Sequence, residues 1–145
     1  SASDPKIAGI WRISIDGGNP VRIWEESGSS RISPDGKWIE IAANQKGVLI
    51  PAAGGKPAKI FDLDPGWGQP AGWNSDGSAL LWIKDVYGVS NVWQTNLDGG
   101  EAKQLTRFDS ESIGSVAMSP DGKNLAVARY STASDVVLIK DLDAQ

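Results

Sequence analysis

Cysteine and histidine are both missing from the 145 residues of the chain. That excludes disulfides, thiolate or imidazole metal ligands, cysteine nucleophiles and any Ser-His-Asp relay contained in this chain. It leaves the compartment open, because a disulfide-free domain exists equally well in the cytosol or the periplasm. A basic excess is missing too: the formal net charge is −4 and the pI is near 4.7. Nucleic acid, which recruits a basic face through counterion release, is therefore not an expected partner. No apolar run approaches the roughly 18 residues of a membrane helix, so no membrane insertion is expected. No basic-then-apolar leader opens the chain. It begins with Ser1, not Met, so an upstream piece is expected to have been removed. A sustained 3.6-residue apolar period is likewise missing. What is present is 17 Gly and 8 Pro in a chain that is still 40% apolar, a balance that implies many turns and not disorder. Seven Trp stand against two Phe and two Tyr, a heavy indole load for this length.

Residues 114–130 organise the rest. At their centre Ser119-Pro120-Asp121-Gly122 has proline to preset φ at the second position of a type I turn and glycine at the fourth. Short segments of small or β-branched residues flank it, so the stretch reads as strand, tight turn, strand. The same phrase occurs at Ser33-Pro34-Asp35-Gly36 and, altered, at Asn74-Ser75-Asp76-Gly77. The turn glycines Gly36, Gly77 and Gly122 lie 41 and 45 residues apart. A second set of turns recurs in phase at Asp16-Gly17-Gly18, Ala53-Gly54-Gly55 and Asp98-Gly99-Gly100. Such pairs tolerate positive φ and mark hairpins.

Each period thus holds four short strands: a before and b after the Ser-Pro-Asp-Gly turn, c before and d after the double glycine. The apolar parity of b agrees between copies, at Ile39 and Ile41, Leu80 and Trp82, Leu125 and Val127. Strand a is rich in small residues, as crowding near a common axis requires. Strand d is short, starts with Pro in two copies and carries Arg22, Lys59 or Lys103, devices that blunt an exposed sheet edge. Four strands per period of 40–45 residues is the mark of a β-propeller. A β-sandwich would not repeat its turn chemistry. The expected fold is all-β, about three four-stranded antiparallel blades in one partial-propeller domain over residues 7–143, behind a tail at 1–6.

The turn motifs above, with Trp73-Asn74-Ser75-Asp76-Gly77, Leu97-Asp98-Gly99-Gly100 and Gln104-Leu105-Thr106, resemble the WD-repeat-like blades of TolB-type propellers. The propellers of prolyl oligopeptidase and dipeptidyl peptidase relatives use similar blades. The resemblance implies a periplasmic or other extracytoplasmic setting. It is specific for the repeat and weak for function, because the motif residues make turns and blade contacts. Asn74-Ser75 in place of Ser-Pro, and Pro51-Ala52-Ala53 at the end of one strand c, depart from the pattern.

Several residues are candidates for more than packing. Trp11 and Trp93 share a place on strand c, and Trp82 lies on the apolar parity of b; all three read as packing between blades. Trp67, on a glycine-flanked connection from d to the next a, reads either as a contact residue or as a cap over the blade's end. The same connections gather Glu25 and Glu26, Asp62 and Asp64, Asp109 and Glu111, all on one face of a regular propeller. Such acids can hold calcium or work in pairs on a glycoside, but solvated loop acids are the simpler account, and no metal or cofactor is expected. The Asp of each Ser-Pro-Asp-Gly turn has a local task, capping turn amides. Arg31 projects from an inner strand, where it binds an anion in a channel or pairs with a loop acid.

No acid, base and nucleophile converge in this pattern, so the leading expectation is a non-enzymatic module that binds a protein or peptide, with Trp67, Asp64, Glu26, Asp109, Glu111 and Arg31 on its recognition face. The alternatives are the accessory, gating propeller of a serine peptidase, or a sensor propeller joined to a signalling or DNA-binding module. The strands read c-d, a-b-c-d, a-b-c-d, a-b-c, the last c at residues 136–142. Closed propellers have about 4–8 blades. The chain is therefore expected either to be a fragment of a longer propeller or to form a homodimer that closes a six-bladed ring.

Overall fold

The computed structural model describes residues 8–63, 66, 68 and 70–131. Its twelve strands form four antiparallel sheets in chain order. The first pairs β1 (Ile10–Arg12) with β2 (Val21–Trp24). The second is a meander of β3 (Ser29–Ile32), β4 (Trp38–Ala43), β5 (Lys46–Pro51) and β6 (Lys59–Asp62). The third repeats it with β7 (Pro70–Trp73), β8 (Ala79–Val86), β9 (Val89–Asn96) and β10 (Lys103–Gln104). The fourth pairs β11 (Ser112–Met118) with β12 (Leu125–Tyr130). This is the expected run c-d, a-b-c-d, a-b-c-d, a-b of propeller blades. The tail at 1–6 and the last expected strand at 136–142 lie outside the described residues.

The Ser-Pro-Asp-Gly turns are built from their own side chains. Ser33 Oγ donates to Asp35 Oδ1 at 2.6 Å and accepts from the Trp38 amide at 3.0 Å, while Asp35 Oδ1 also accepts the Lys37 amide at 3.0 Å. Ser119 and Asp121 repeat this cage around Lys123 and Asn124. In the altered copy Asn74 Oδ1 accepts the Ala79 amide at 3.0 Å, the bond a serine hydroxyl makes in the other two, and Asp76 caps Ser78 at 2.9 Å. The departure from Ser-Pro is thus a substitution of one acceptor for another. These bonds favour the ionised form and hold the carboxyls of Asp35, Asp76 and Asp121 below the usual carboxylate range. Neighbouring turns also nest. A Cβ at Gly77 would meet Pro34 Cδ at 3.6 Å, and one at Gly122 would meet Ser75 Oγ at 2.5 Å.

Both faces of an inner sheet are buried here, so each strand feeds two interfaces. Ile39, Ile41, Ala43, Val48 and Ile50 of the second sheet pack on Ile10, Ile23 and Trp24 of the first. The opposite face of the second sheet, with Trp38, Leu49 and Phe61, packs on Trp73, Leu80, Trp82, Trp93 and Leu97 of the third. Phe61 lies over Gly47, where an added Cβ would come within 2.3 Å of its ring. Glycine there lets an aromatic from the adjacent strand cover the backbone.

Trp11 differs from the expectation. Val48 and Trp93, its counterparts, are packed on the preceding sheet, whereas Trp11 is 44% exposed and Ile15 fully so. Their row faces away from the second sheet, toward a flank where the described residues supply no further blade.

Candidate recognition face

Strand direction sorts the connections. The Ser-Pro-Asp-Gly and double-glycine turns occupy one end of the blades; the b–c hairpins and the d-to-a connections occupy the other. Glu26, between β2 and β3, and Asp109 and Glu111, both between β10 and β11, are brought to this second end. Glu26 Oε2 accepts from Asn44 Nδ2 at 2.9 Å, tying a d-to-a connection to the neighbouring b–c turn. Asp62 pairs with Lys46 in the open. Glu111, at φ +65°, pairs with Arg129 at 3.2 Å. Arg129 also donates to the Ser110 carbonyl at 2.8 Å and lies 4.1 Å over the Phe108 ring. Asp109 is exposed and accepts from Ser110 Oγ at 3.3 Å. Trp67 and Asp64 lie outside the described residues. Among the described residues no three Asp or Glu side chains gather as a metal site.

Arg31 is not on this face. It stands on β3 directly opposite Glu40 on β4, looking toward the third sheet, and its charge acts on this strand acid, whereas the expectation paired it with a loop acid. Glu40 is fully buried, and neither of its carboxylate oxygens has a hydrogen-bond partner. Burial pushes its pKa up to about 7, with Arg31 opposing the rise.

Two features of the face escaped the sequence. The hairpin β8–β9 runs eight residues on each side against six in β4–β5, and its pairing continues to Val86 opposite Val89. Two extra residue pairs carry its tip about 7 Å beyond the shorter hairpin. The advance signs were the Tyr87-Gly88 pair, an X-Gly turn between apolar alternations, and the spacing of 22 residues from Gly77 to Gly99 against 18 from Gly36 to Gly54. The second feature is Asn91, whose Nδ2 donates to the Phe108 carbonyl at 3.1 Å while its Oδ1 accepts the Phe108 amide at 2.7 Å and Thr106 Oγ1 at 3.0 Å. Thr106 Oγ1 in turn accepts the Val92 amide at 2.9 Å. The backbone bonds from Leu105 N–H to the Val92 carbonyl at 2.8 Å and from Ser90 N–H to the Glu111 carbonyl at 3.1 Å hold the ends of residues 105–111. Between those ends Asn91 ties Thr106 and Phe108 to the hairpin. Asn91→Ala strands these groups and is expected to cost about 1–3 kcal/mol. Hydrogen exchange checks it: amides of residues 105–111 should exchange faster, and unchanged rates there would contradict the clamp.

No protein-family model matches the chain. It is similar to dipeptidyl aminopeptidase BIII of Pseudoxanthomonas mexicana, at 32% identity over 129 residues, which covers 83% of this chain and 18% of that protein. The chain thus spans about a fifth of that relative's length. In structure it is similar to a putative TolB from Agrobacterium tumefaciens, with a TM-score of 0.63 and 22% identity over 81% of this chain and 45% of that one. It is also similar to hydrazine synthase of Kuenenia stuttgartiensis, with a TM-score of 0.54 and 19% identity over 87% of this chain and 39% of that one. The fold is that of TolB-type propellers, and the sequence is related to that of a peptidase.

Proposed function

We propose that this TolB-type propeller chain is a non-catalytic module that recognises a polypeptide through the end bearing the d-to-a connections and b–c hairpins. The observation that carries the reading is the Asn91 clamp, which presents residues 105–111 and the β8–β9 hairpin as one preformed surface. A preformed loop surface loses less ordering entropy on binding. The carboxylates of that end support the same reading, because Glu26 ties its connection to the Asn44 turn and Glu111 ties its connection to Arg129 of β12.

A second reading is favoured by the 32% identity to a dipeptidyl aminopeptidase: the chain serves as the accessory propeller of a peptidase and gates its substrates. A hydrolase Gly-x-Ser-x-Gly segment in the same open reading frame would favour it over a free-standing binder. The two share a non-catalytic role for this chain. Assay of the purified protein on peptide, ester and glycoside panels tests that role, and the expected result is no turnover. Hydrolysis abolished by a single substitution within this chain would overturn it.

A further inference from the structure

We propose that the tip of the β8–β9 hairpin and the groove at its base form a docking site for an extended peptide that carries an apolar side chain beside a lysine or arginine. The inference rests on the recognition reading above and names its partner. Tyr87 and Gly88 have φ of +54° and +82°, the two positive values of a type I′ turn. The shorter hairpin meets the same demand with Asn44 and Gln45, at +48° and +62°. Asparagine tolerates this region through its short polar side chain, whereas a tyrosine there crowds its own backbone. Tyr87 is nevertheless fully exposed, and Val86 beside it is half-exposed. A strained, solvated aromatic on a protruding tip opposes local stability three times over, and such conflicts concentrate at functional sites.

The tip is also held rigid. Asp85 Oδ1 accepts the Gly88 amide and Oδ2 accepts Ser90 Oγ, both at 2.9 Å. From the other side the Ser90 amide donates to the Glu111 carbonyl at 3.1 Å. With the backbone of the tip pinned, the tyrosine offers large contact area and only its own side-chain rotamers remain to be ordered. Below it a groove of about 390 Å³ is lined by Val86, Val89, Trp93, Asn91, Lys84 and Asp109, among others. Its apolar wall accepts an aliphatic or aromatic side chain. The Lys84 ammonium is 5.6 Å from the Trp93 ring centroid, already over an aromatic face. The Asn91 amide is committed to Phe108 and Thr106, so two charges line the groove: Lys84, whose ammonium lies over Trp93, and the exposed Asp109, whose carboxylate is the acceptor for the peptide's cation. A tip and one groove make a contact well under the area of stable complexes, so the affinity is of the transient, micromolar kind.

The test uses the whole chain and a phage-displayed random heptapeptide library, with selected peptides then synthesised and titrated. The expected enrichment is for an apolar residue adjacent to Lys or Arg. Tyr87→Asn, which copies the shorter hairpin, should weaken those peptides by about tenfold or more while raising Tm by about 2–4 °C through relief of the turn. Asp109→Asn should weaken them and reduce the salt dependence of binding. Peptides that bind equally well to Tyr87→Asn and Asp109→Asn, or that are acidic, would overturn this site and leave the recognition reading standing. Failure to enrich any peptide would overturn both.

Discussion

Trp82→Ala is expected to remove about 3–5 kcal/mol of folding free energy, the range for deleting a large buried aromatic. Trp82 stands at the centre of the interface between the second and third sheets, among Leu49, Trp73 and Leu80, with Trp38, Phe61 and Trp93 around them. It is 5% exposed, and its Nε1 donates to Thr95 Oγ1 at 2.6 Å, so the indole is fixed at both its apolar and its polar end. Neighbouring blades meet mainly through such side-chain layers, since the hydrogen-bonded ladders run within each sheet. A loss of that size is a large share of the about 5–15 kcal/mol of a typical domain. Urea denaturation followed by tryptophan fluorescence measures it. A cost below about 1 kcal/mol would mean that the interface is not part of the core.

Glu40→Gln is expected to act in the opposite direction and only above acidic pH. The folded carboxyl titrates near 7 against an ordinary value of 4.5, because burial disfavours the charge more than Arg31 favours it. Between those two values the unfolded chain has already released the proton that the folded chain retains. Stability therefore falls as pH rises from about 4.5 through 7, and the loss levels off above that at about 3 kcal/mol. The only charged side chain across from Glu40 in the strand register is Arg31. Glutamine carries no titration, so the variant should match the wild type at pH 4.5 and exceed it by up to about 3 kcal/mol at pH 8. The capping carboxylates Asp35, Asp76 and Asp121 act on the other side: their contribution is present above the ordinary carboxylate pKa and is lost as pH falls below it. Denaturation midpoints from pH 4 to 8 decide the matter, and parallel profiles for the two proteins would refute the assignment.

The difference between these two residues shows what was legible in advance. Ser33, Asp35, Ser119 and Asp121 act on amides within five residues of themselves, so their role follows from local sequence, and the repeat of that local chemistry carried the blade order. Trp82 followed from the parity of strand b. Glu40 occupies the other parity of the same strand, which in a half-buried sheet faces water; in a stack of blades it faces the next blade, and alternation misleads. That the loop acids gather at one end of the blades was legible in outline, since Glu26, Asp109 and Glu111 do share it. Its working parts were not. The Asn91 clamp spans seventeen residues to Phe108, and the overhang of β8–β9 is written only as a wider glycine spacing, 22 residues from Gly77 to Gly99 against 18 from Gly36 to Gly54, which does not say where the extra residues go. The place of Arg31 opposite Glu40 was hidden for a related reason: it is set by cross-strand register, not by proximity in sequence.

Recognition through the hairpin end is tested most directly by amide hydrogen exchange on the chain alone and saturated with a library-selected peptide. The expected result is slowed exchange in residues 85–91 and 105–111, with no change in the turns at 33–37, 74–78 and 119–123. Protection confined to those turns, at the opposite end of the blades, would contradict it.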